Sequence, residues 1–68
     1  MTHEIKKAID NKITELGFNG CLNFLTATQL NPYATLKLTE ANYRRIIRSE
    51  LAAENWADLT DLFLNWAA

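Results

Sequence analysis

Ile5, Ile9, Ile13 and Leu16 share one face of any helix drawn through residues 2–16, and their stripe stops at Gly17. Apolar residues recurring every three to four positions mark an amphipathic helix. Thr2 is suited to cap it, Glu4 lies in its first turn, and Gly17 supplies the C′ stop. A chain that opens this way needs other elements to cover its stripe.

The covering material is scarce. Sixty-eight residues make one domain, which buries only roughly 60% of the surface exposed by its unfolded chain. Small domains offset that shortage with disulfides, a metal, a partner or efficient helix packing. Cys21 is the single cysteine, so no intramolecular disulfide forms, and a lone thiol suits a reducing compartment. With one histidine, His3, beside one cysteine, no structural metal is expected. Packing and a partner remain.

Beyond Gly17 the segment "CLNFLTATQL" is ambiguous. Cys21, Leu22 and Leu25 fit a helical stripe, whereas Phe24, Thr26 and Thr28 also suit a strand. A lone strand has nothing to pair with, so a helix over 20–30 is expected. "NPYATLKL" reads as the one sizeable loop, with Pro32 steering Asn31 out of helical geometry. Thr39 is a natural N-cap for a helix over 39–53, placing Tyr43, Ile46, Ile47 and Leu51 on one side and Arg44, Arg45 and Arg48 on the other. Asn55 is placed to cap a last helix over 55–66, with Asp58 near its positive end. The fold expectation is all-α: a small single-domain four-helix bundle.

In that last helix, Trp56, Leu59, Leu62, Phe63 and Trp66 cluster on one side at roughly 100° per residue, and Leu64 lies away from the stripe. A core helix accounts for the aromatic stripe. Leu64 and the Ala67–Ala68 end are expected to form a second contact surface, with a homodimer through the C-terminal helix as one outcome.

The chemistry-bearing residues do not assemble into a catalytic pattern. His3 reads as a solvated first-turn residue and Cys21 as a buried thiol. Glu54, Asp58 and Asp61 form a polar face without the pocket that acid–base catalysis requires. No phosphate-binding glycine motif or nucleophile elbow occurs. The expectation is a non-enzyme with no cofactor.

Seven Lys/Arg against eight Asp/Glu give a net charge of −1, but every basic residue precedes Ser49. The stretch "TEANYRRIIRSEL" with the short helix before it resembles the helix pair of a helix-turn-helix DNA reader in general layout. That resemblance implies base or phosphate contacts from Asn42, Arg44, Arg45 and Arg48. The long connection from Leu30 to Thr39 and the absence of net positive charge oppose it. Glu40 and Arg44 are also spaced for an ordinary intrahelical ion pair.

The leading expectation is a small helical interaction protein, an adaptor, inhibitor or regulator of the phage or mobile-element kind, which binds a larger protein. Its candidate partner-binding residues are Arg44, Arg45, Arg48, Asp58, Asp61 and Leu64. The alternative is a DNA-binding regulator using helix 39–53. No apolar run approaches the ~20 residues of a membrane span, and a cytoplasmic location is expected.

Overall fold

The computed structural model describes residues 3–53 and 56–66, and only the backbone of Trp56 and Ala57. Among these residues the chain is all-α, with four helices and no strand. The fold class agrees with the sequence reading, but the helices are divided differently.

α1, His3–Thr28, joins the two segments expected to be separate. Gly17 sits inside it at φ 69° and ψ −172°, a left-handed φ that a side chain disfavours. The axis changes direction there. Three residues later, a Cβ added at Gly20 would lie 2.7 Å from the Cβ of Leu16. One glycine makes the bend, and the other lets the two arms close over Leu16. The second arm therefore begins immediately after the bend, rather than at residue 20, and ends where Gln29 takes a φ of 52°.

The segment read as a loop contains α2, Pro32–Lys37. Its signals are local and polar. Asn31, at φ 36°, accepts a hydrogen bond from the Tyr33 amide through Oδ1 at 3.1 Å. Pro32 occupies the first turn, where its missing N–H is harmless. Ala34 and Leu38 are buried and hold the short helix against the core. Pro32 thus starts a helix while keeping Asn31 out of one.

α3, Tyr43–Ala53, begins later than the Thr39 start expected from sequence. Residues 40–42 form a turn, and the amides of Asn42 and Tyr43 both donate to the Thr39 carbonyl, at 3.1 and 2.9 Å. Asn42 completes the entry: its Oδ1 accepts from the Thr39 amide at 2.7 Å and its Nδ2 donates to the Lys37 carbonyl at 2.8 Å. α4 spans Trp56–Leu64. The expected caps Thr2 and Asn55 lie outside the described residues.

α1 packs against all three other helices, and α3 also touches α4. Ile9, Ile13, Phe24, Leu25, Ile47, Leu51 and Phe63 are at the centre of the core. The Phe24 ring meets Phe63 at 4.9 Å and Trp66 at 5.2 Å, both edge to face. Such ring pairs add about 0.5–1.5 kcal/mol beyond the burial of their area. With no disulfide, these contacts are a main support of a small core. Phe63 and Trp66 of the aromatic stripe are therefore used within the chain.

The buried side of α4 is rotated from the expected stripe. Thr60 is buried beside Phe63, Leu64 is partly buried against the core, and Leu62 is 45% exposed. Counting only apolar residues had placed Leu62 inside and Leu64 outside. Thr60 shifts the centre of the stripe by its own burial, although its Oγ1 has no hydrogen-bond partner among the described residues.

Candidate interaction surfaces

The arginine face is largely occupied within the chain. Arg44 Nη1 donates to Thr14 Oγ1 at 3.1 Å, and its guanidinium lies 5.3 Å from the Tyr43 ring centroid. Arg48 places Nε at 2.7 Å and Nη2 at 2.6 Å from Asp10 Oδ1. Both arginines bridge α3 to the first arm of α1. Arg44 therefore does not form the expected pair with Glu40. Arg45 is exposed and makes no polar contact among the described residues.

Asn42 is likewise engaged at both ends of its amide, so a reading of bases by this residue requires its helix-entry bonds to break. Of the four groups expected to meet nucleic acid, Arg45 is the one without a polar partner among the described residues. A cation can still attract phosphate while paired, but exposed pairs such as Arg48–Asp10 are held weakly, by about 0–1 kcal/mol.

Asp58 and Asp61 are exposed on α4 and form no ion pair among the described residues. Leu64 borders a shallow depression with Ala8, Asn11, Lys12 and Glu15 on α1. It is thus partly engaged in the α1–α4 packing. Ala67, Ala68 and Glu54 lie outside the described residues.

The most exposed large apolar side chains are on α2, where sequence reading placed no site. Leu36 is 84% exposed and Tyr33 is 60% exposed. The two stand one turn apart, and Lys37 Nζ lies 4.4 Å from the Tyr33 ring centroid. The platform beneath them is fixed at three points. Asn31 Nδ2 donates to Glu50 Oε1 on α3 at 3.1 Å, Asn42 holds the Lys37 carbonyl, and Ala34 is buried. A tyrosine and leucine three residues apart would have identified this face had "PYATLK" been read as helix.

A second feature lies between α1 and α3. A cleft of about 330 Å³ is lined by Lys6, Ile9, Asp10, Arg48 and Ala52. Lys6 is exposed and forms no ion pair among the described residues.

Cys21 lies in the core, and burial pushes its thiol up to about 11 against the opposing pull of the Arg44 charge. It stays protonated at neutral pH, the opposite of an activated nucleophile. Among the described residues no cluster of three His, Cys, Asp or Glu is placed to hold a metal ion. No described helix is long and apolar enough to cross a membrane. No protein-family model matches the chain, and no curated protein or solved structure shows significant similarity to it.

Proposed function

We propose that this protein is a non-enzymatic interaction module that docks on a larger protein through Tyr33 and Leu36. The observation that carries the reading is the 84% exposure of Leu36 beside a 60% exposed Tyr33 on a helix pinned from both ends. A leucine held out in water forgoes about 1.5–3 kcal/mol of burial, which a partner's pocket recovers. A rigid platform also lowers the ordering cost of docking. Two apolar side chains one helical turn apart match helix-in-groove recognition.

The occupant has a stated chemistry. It presents an apolar pocket for Leu36 and a carboxylate at the rim for Lys37, which lies against the Tyr33 ring. Adaptor, inhibitor or regulator are the roles such a module serves, and action in the cytoplasm accords with a protonated buried thiol. The DNA-reading alternative is the weaker proposal, because Asn42, Arg44 and Arg48 already have intramolecular partners.

The test is site-directed photocrosslinking in the native host with a photoreactive residue at position 33. A discrete crosslinked protein is expected, lost when Leu36→Asp is added and absent when the probe is at position 45. Labelling that survives Leu36→Asp, or appears equally from position 45, defeats the reading.

A further inference from the structure

The cleft between α1 and α3 has a chemical character that the α2 face lacks, and its assignment is independent of that face. Ile9 and Ala52 give it an apolar lining, while Lys6, Arg48 and Asp10 supply the charged groups. These three charges leave a surplus of one positive charge. Asp10 Oδ1 engages Nε and Nη2 of Arg48, so among the described residues Nη1 has no partner, and neither has the Lys6 ammonium. The volume of about 330 Å³ falls at the lower end of the ~300–1,000 Å³ typical of small-molecule sites.

We propose that this cleft binds a small amphiphile carrying one carboxylate on an apolar tail. The tail lies over Ile9 and Ala52, and the carboxylate sits between the Lys6 ammonium and the part of the Arg48 guanidinium that Asp10 leaves free. The single surplus charge selects a monoanion, and the apolar lining selects a hydrocarbon-rich body over a bare anion. Asp10 has two roles here: it orients Arg48, and it repels ligands with more than one negative charge. Such a ligand bridges α1 and α3, which Arg48 and Asp10 already join.

Octanoate is the probe, titrated below its micelle-forming concentration and followed by the Ile9 and Ala52 methyl signals in NMR, with Leu36 as the reference. Saturable shifts at Ile9 and Ala52 by about 1 mM, a binding free energy near −4 kcal/mol, are expected, with Leu36 unmoved. Octan-1-ol and octylammonium are expected to bind at least ten-fold more weakly. Lys6→Glu should weaken octanoate at least ten-fold, and Lys6→Arg should retain it. Because Lys6 is exposed, neither change threatens the fold. Ala52→Phe should block the cleft, with folding checked by circular dichroism; if that variant unfolds, the Lys6 pair decides. Equal binding of octanol and octanoate, indifference to Lys6→Glu, or no saturable shift at about 1 mM overturns the proposal.

Discussion

α2 and α4 sort their apolar residues in opposite ways. α4 is the more apolar of the two and looks from its composition like an interface, yet Phe63 is inside, Leu64 packs on the core, and Leu62 alone of its leucines is largely exposed. α2 is six residues long, reads as a loop, and carries Tyr33 and Leu36 in solvent. The difference lies in what holds each helix in place. Apolar contacts with α1 and α3 hold α4, so its greasy residues are consumed by the hold itself. Asn31, Asn42, Ala34 and Leu38 hold α2, which frees Leu36 and Tyr33 from that duty. Surplus apolar surface arises where small residues and amides do the anchoring.

Breaking α4 should have the largest effect. Phe63→Ala removes a fully buried ring packed edge to face against Phe24 and is expected to cost about 3–5 kcal/mol. In a domain of this size that approaches the whole margin, so urea denaturation should show a folded baseline shortened or lost.

The rotation of α4 is tested by a matched pair. Leu64→Glu places a charge in packed surface and should destabilise by about 1–3 kcal/mol, whereas Leu62→Glu should change stability by less than ~0.5 kcal/mol. Thermal melts at two protein concentrations separate this from self-association through α4, for which the Leu64→Glu melt becomes concentration-independent and the wild-type melt does not.

On the α2 side, Asn31→Ala deletes both the cap on Tyr33 and the tie to Glu50 and should cost about 1 kcal/mol. Amide exchange at Tyr33 and Ala34 should rise more than that at Ile47. No acceleration at Tyr33 and Ala34 would mean that α2 is held by its apolar residues after all, and equal acceleration at all three sites would mean that α2 opens only with the whole fold.

Thr60→Val exchanges a buried hydroxyl without a partner for a methyl and is expected to stabilise by on the order of 1 kcal/mol. A loss in the denaturation midpoint would show that the hydroxyl has a role. The smallest effect belongs to Leu36→Ala, expected to move stability by less than ~0.5 kcal/mol while abolishing the docking contact.

The sequence made the long-period features legible. The stripe of Ile5, Ile9, Ile13 and Leu16 and the Ile46–Ile47–Leu51 side of α3 follow from period, and Gly17 signals an interruption that is expected as a helix stop and found as a bend inside α1. What escaped were features set by single polar contacts. Asn31 and Pro32 together signal a helix start, but Pro32 taken alone signals a break. Thr60 rotates α4 by being buried, which apolar counting cannot register. Arg44 and Arg48 stand on a face that an isolated α3 gives to solvent, and only the approach of Thr14 and Asp10, far away in sequence, turns them inward. Of the residues chosen for their charge, Arg44 and Arg48 have partners on α1, Thr14 and Asp10, whereas the exposed Tyr33 and Leu36 lie in a segment that reads as a loop.

The bend at Gly17 also bears on how the chain reaches its fold. The residues that cover the two arms of α1, Ile46, Ile47, Leu51 and Phe63, lie far from them in sequence. Isolated helices shorter than about 12–15 residues are marginal in water, and the bend at Gly17 leaves α1 as two short arms in place of one long helix. Neither arm buries its own apolar face, so α1 depends on α3 and α4, distant in sequence, for its place in the fold.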